Sequence, residues 1–200
     1  MLAKSLPLLS ASLALMDTAT AALLSMTASL PGSTLDGQFV VAAGQSFALG
    51  KTDTPATYCP TVVEPNCPNV TGTIFAGTGA LWVEVPGGQA TYVTKEGLFG
   101  FTQAHSAFVP VGAYQGGWVN KTIIPECEEE EPYTVLTFQA YNATVGGVSA
   151  CPVTSPGDYG SVSYKIYGVT PQFNRTDCVE LDGLLPHTPP TNAIGAWQYT

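Results

Sequence analysis

Beyond residue 21 no long stretch of this chain repeats its apolar residues every 3.6 positions; short runs alternate every second residue instead, cut by glycine and proline. Little helix is therefore expected, and the pattern points to an all-β chain. Val162, Tyr164 and Ile166 alternate with Ser161, Ser163 and Lys165, which predicts a half-buried strand. Leu81, Val83 and Val85 alternate with Trp82 and Glu84, Pro86-Gly87-Gly88 supplies a turn, and Ala90 to Val93 returns, predicting a hairpin over 80–94. A turn at Lys95-Glu96-Gly97 into Leu98 to Thr102 extends it to a three-stranded meander. Leu136, Phe138 and Ala140 give a further alternating run, and Phe39 to Val41 with Ser46 to Leu49 flank Gly44. Short strands with frequent turns, among 21 glycines and 16 prolines, predict a compact antiparallel sandwich or closed barrel, because closure removes exposed edges. A β-trefoil stays open.

The N-terminus has the parts of a secretory signal: Lys4, an apolar run from Leu6 to Met16, and a small-residue site at Ala19-Thr20-Ala21. The run is shorter than the roughly 20 apolar residues of a spanning helix, so cleavage after Ala21 is expected rather than membrane anchoring. No apolar tail for a lipid anchor follows Trp197. Four Asn-x-Thr acceptors, at Asn69, Asn120, Asn142 and Asn174, fit a glycosylated chain on the secretory route. Residues 1–21 are thus read as signal, 22–37 as a mobile leader of small and hydroxyl residues, and 38–200 as one all-β domain. The stretch from Gly112 to Pro132 reads as a surface loop, since the contiguous carboxylates Glu128 to Glu131 repel and cannot be buried together.

An exported chain oxidises its cysteines, and there are five: Cys59, Cys67, Cys127, Cys151 and Cys178. Sequence neighbourhood suggests Cys59 with Cys67 and Cys151 with Cys178, worth about 2.5 and about 3.5 kcal/mol by loop-closure entropy. Cys127 is left over, and its glutamate neighbours disfavour a reactive thiolate. Only 10% of the residues are charged and the formal net charge is −9, so nucleic acid and anionic membrane surfaces are disfavoured as partners.

Chemistry-bearing residues are sparse. Glu84, Glu180 and Asp182 are the carboxylates outside the acidic run that could serve glycoside hydrolysis, which needs two across a cleft. Nothing in their spacing requires it, and Glu84 falls on the polar face of a strand. His105 and His187 are the only imidazoles, and no zinc or nucleophile motif surrounds them. His105 beside Ser106 reads as a turn residue. The Glu128 to Glu131 run lacks the alternation of a calcium loop, so no metal or other cofactor is expected. Exposed aromatic rings could stack on sugars, and among Trp82, Trp118 and Trp197 the reading favours Trp118 alone as exposed, because Gly116, Gly117 and Asn120 surround it.

Several blocks in one order resemble a family of small secreted fungal IgE-binding proteins, distantly similar to the cell-wall protein PhiA. They are Phe47-Ala48-Leu49-Gly50, Thr57-Tyr58-Cys59-Pro60, Asn66-Cys67-Pro68, Val83 to Gln89, Tyr92-Val93, Thr102 to Ala107, Ala150-Cys151-Pro152, Asp177-Cys178 and Gly195 to Thr200. The resemblance implies an extracellular or wall-associated, allergen-like glycoprotein with no catalytic residues to carry over. It also supports the two cysteine pairs, while Cys127 and its glutamates depart from it. The resulting expectation is a non-enzymatic protein that associates with wall polysaccharide or wall proteins. A carbohydrate-binding module and an acid-based glycoside hydrolase are the alternatives.

Overall fold

A computed structural model describes residues 22–62, 64–125, 130–153 and 163–200. The signal segment, Cys127, Glu128, Glu129, Ser161 and Val162 lie outside the described residues. Among the described residues there are fifteen strands and no helix. In chain order, β1 is Leu23–Ser29, β2 Phe39–Ala43, β3 Ser46–Gly50, β4 Thr57–Tyr58 and β5 Phe75–Ala76. Next come β6 Ala80–Leu81, β7 Gln89–Val93, β8 Phe99–Phe101, β9 Trp118–Ile123 and β10 Tyr133–Phe138. The last are β11 Val148–Val153, β12 Ser163–Gly168, β13 Val179–Leu181, β14 Gly183–His187 and β15 Gln198–Tyr199.

Seven of these close a ring by antiparallel pairing: β1 to β2, then β3, β8, β7, β6, β5 and back to β1. The fold is therefore the closed barrel. Two wings extend it, β12–β11–β13 from β3 and β14–β10–β9 from β1. Tight turns make the ring possible. Gly44 and Gln45 both have positive φ, 59° and 54°, and join β2 to β3 with Ala43 opposite Ser46, the two-residue geometry whose twist suits paired strands.

Phenylalanines fill the interior. Phe47 lies with its ring centroid 4.2 Å from Phe99, 5.1 Å from Phe75 and 5.3 Å from Phe101, and all four rings are buried. Burying each contributes about 2–3 kcal/mol from water exclusion. The aromatic packing continues outward from Phe99 to Trp118 at 4.7 Å and from Trp118 to Phe138 at 5.7 Å. The disulfides are Cys59–Cys67 and Cys151–Cys178. The second links the buried Cys151 of β11 to the residue just before β13, its neighbour in the wing.

Three sequence expectations are corrected here. Within 22–37, read as a leader, Leu23–Ser29 is instead β1, paired with β5, β2 and β14, with Met26 and Ala28 in the core. Its buried hydroxyls are satisfied, Thr27 Oγ1 lying 2.8 Å from His187 Nε2 and Ser29 Oγ 3.3 Å from Tyr133 Oη, which is why small polar residues can sit inside. Within 112–132, read as loop, Trp118–Ile123 is β9, paired over its whole length with β10. The hairpin over 80–94 has only two ladder pairs, Ala80 with Ala90 and Leu81 with Gln89. Beyond Leu81 the chain turns to a different partner.

Candidate binding face at one end of the barrel

That partner is the segment Gly195–Thr200. Glu84 N–H donates to Ala196 O at 3.1 Å and Val85 N–H to Trp197 O at 2.9 Å, with a parallel bridge between Val83 and Ala196. Gln198 and Tyr199, as β15, pair with Tyr58 and Thr57 of β4. Gly44 N–H then donates to Thr200 O at 2.8 Å. The antiparallel order puts the β2–β3 turn, the exit of β8 and the entry of β7 at the same end of the ring, and Gly195–Thr200 crosses that end.

Two side chains anchor the crossing. The buried Gln89 carboxamide donates to Thr102 O at 2.9 Å and Tyr199 O at 3.0 Å, and accepts from Tyr199 N–H at 2.8 Å. A backbone N–H can only donate, so this network fixes which way the amide points. Tyr199 is 1% exposed, and its hydroxyl accepts from Ile74 N–H and donates to Gly72 O, at 3.0 and 2.9 Å. Burial pushes its phenol up to about 12, with the nearby Asp53 charge acting in the same direction. Asp53 is itself raised above the ordinary carboxylate range by burial, opposed by the hydrogen bond it accepts from Thr73 N–H.

Two clefts open on this face. One, of about 370 Å³, is lined by Gly44, Gln45, Gln103, Gln198, Tyr199 and Thr200. The other, of about 510 Å³, includes Thr102, His105, Ser106, Val109 and Gln115. The turn closed by Ser106 N–H on Gln103 O, 3.2 Å, stands between them, with Gln103 on one side and His105 on the other. Among the described residues, the non-glycine positions with positive φ are Gln45, His105 and Asn142, and the first two line these clefts. Left-handed backbone at a residue with a Cβ is uncommon and concentrates at binding sites. The linings offer amides, hydroxyls, peptide groups and one imidazole.

The sequence-derived candidates are dispersed by comparison. Glu84 is exposed just after β6, Glu180 is exposed on β13, and Asp182 borders a separate cleft with Ile124, Glu130 and Tyr133. His187 bonds Thr27 at the far end of β14, away from His105. The reading of Trp118 as the exposed tryptophan is corrected. It is half-buried against Phe99 and Phe138, while Trp82 is 47% exposed. Gly117 serves close packing, because a Cβ there would come within 2.9 Å of the Phe138 ring and 2.8 Å of Gln139 O. Asn69, Asn120, Asn142 and Asn174 are all exposed, Asn120 on β9 itself. Sequence reasoning missed the cleft residues Gln45, Gln103 and Gln198, whose only signal was membership of, or proximity to, the family-like blocks.

Comparison with known proteins gives a consistent result. The family described as PhiA-like secreted protein matches residues 24–200. An uncharacterized secreted protein of Arthroderma benhamiae (strain ATCC MYA-4681 / CBS 112371) is 36% identical over 196 residues, covering 98% of this chain and 95% of its own length. No solved structure matches the chain.

Proposed function

Because the chain belongs to the PhiA-like secreted protein family, we propose that it is an extracellular, wall-associated glycoprotein that acts by holding a partner rather than by turning one over. The observation that carries this reading is the lining of the barrel-end clefts, where carboxamides, hydroxyls and backbone groups converge while Glu84, Glu180 and Asp182 are spread over other elements. No aspartate or glutamate is among the described residues that line either cleft, so the carboxylate pair that glycoside hydrolysis uses is not gathered there, while amides, hydroxyls and backbone groups suit hydroxyl-rich or peptide surfaces. Exposure of all four Asn-x-Thr acceptors supports glycan attachment. Allergen-like binding by IgE is then a host response to a stable secreted surface, separate from the protein's own work.

Sedimentation with insoluble wall polysaccharide, run beside a panel of β-glucan, chitin, mannan and ester substrates, tests the reading. The expected result is retention of the protein on wall material and no turnover. Turnover that disappears in Glu84→Gln or Asp182→Asn, with the fold intact, would overturn it.

A further inference from the structure

We infer that the cleft formed by Gln45, Gln103 and Gln198, with Tyr58 beside it, is a binding site for a neutral, unsubstituted glycan chain; this rests on the wall-association reading and gives it a location. The cleft of about 370 Å³ is within the size range of small-ligand sites. Three glutamines from three distant parts of the chain line it: one on the β2–β3 turn, one after β8 and one on β15. Each carboxamide both donates and accepts, which is what a sugar hydroxyl requires, and among the described residues no charged side chain lines the cleft.

The aromatic component comes from strand register. Tyr58 lies directly opposite Gln198 in the β4–β15 ladder, so the two side chains share a face, and Tyr58 is 55% exposed. An exposed ring beside convergent amides matches the two faces of a pyranose, apolar C–H on one and hydroxyls at the rim. Gln45 adds a second line of support. The two-residue turn it occupies is ordinarily built from Gly, Asn or Asp, yet here a longer amide is held at φ 54° on the cleft wall. A net charge of −9 repels uronic-acid and phosphate-substituted polymers, which narrows the class to neutral chains.

The test is calorimetric titration of the full secreted protein with laminarihexaose, chitohexaose and mannohexaose, and with an oligogalacturonate as the anionic control. Binding of at least one neutral hexasaccharide is expected. Tyr58→Ala should weaken it about tenfold or more, Gln103→Ala and Gln198→Ala about threefold or more each, and Tyr58→Phe less than twofold, all without a change in melting temperature. Tighter binding of the oligogalacturonate, no binding of any neutral hexasaccharide, or indifference to Tyr58→Ala would each overturn the site. Wall sedimentation of the same variants separates the two proposals. Retention unaffected by Tyr58→Ala overturns this site and leaves wall association standing, whereas a wild-type protein that stays in the supernatant overturns both.

Discussion

Gln89 shows how one residue can be required by its hydrogen-bond inventory. Its two N–H groups face two carbonyls and its oxygen faces an N–H, all in the buried end of the barrel. Gln89→Leu leaves these groups without partners and should cost about 3 kcal/mol in urea unfolding, since each buried unsatisfied group costs ~1–3 kcal/mol. Gln89→Glu turns two donors towards carbonyls into acceptors at neutral pH, so its destabilisation should shrink on acidification as the carboxyl becomes protonated. A pH-independent loss would show that shape alone is at stake. Tyr199 makes a prediction of the opposite pH range. Its folded phenol titrates at about 12 against an ordinary 10.0, so between those values the folded state holds the proton and the unfolded state has released it. Stability should fall as pH rises through that window, by roughly 3 kcal/mol in total. Tyr199→Phe should lose this alkaline dependence, while being less stable at neutral pH because Ile74 N–H and Gly72 O lose their partner.

Among the elements, β1 carries the sharpest consequence. A leader could be trimmed without effect, whereas β1 pairs with three strands and puts Met26 and Ala28 into the core. Limited proteolysis of the native secreted protein should leave 23–29 uncut, and a chain starting at residue 30 should lose cooperative melting. If that shortened chain melted like the intact one, β1 would be dispensable. The strands that were readable from sequence are those with large apolar residues on one face. Leu136 and Phe138 are buried on β10, and Ile166 is buried on β12. β1 was hidden because it is buried on both faces at Thr27, Ala28 and Ser29, small or hydroxyl residues that show no apolar/polar alternation, and most of its pairing is with β14, far along the chain. β9 was hidden because positions 119–122 are all exposed, so no alternation exists to read. The cleft was illegible for a third reason: Gln45, Gln103 and Gln198 are separated along the sequence and come together only when the ring closes.

Across the molecule, closure of the ring leaves β13 and β9 as the ends of the sheet among the described residues. An open strand edge invites pairing with another chain, and proteins guard such edges with charge, brevity or bulk. β13 is three residues long and carries the exposed Glu180, while β9 is six residues long and carries Asn120 and Lys121. A glycan on Asn120 would project from this longer edge. Asn120→Gln expressed by the same secretory route should therefore show concentration-dependent self-association by light scattering, absent from the parent and from Asn69→Gln. Equal behaviour of the two variants would remove the guarding role. The pairing of β1 with β14 also bears on how the protein is made. Thr27 and His187 meet across 160 residues, so the earliest strand leaves the ribosome long before its partner. At roughly 5–20 residues per second the interval is about 10–30 s, a long time for a strand to wait without that partner in a crowded lumen. That interval is the window in which the nascent N-terminal region needs shielding from other chains before its own partner strand arrives.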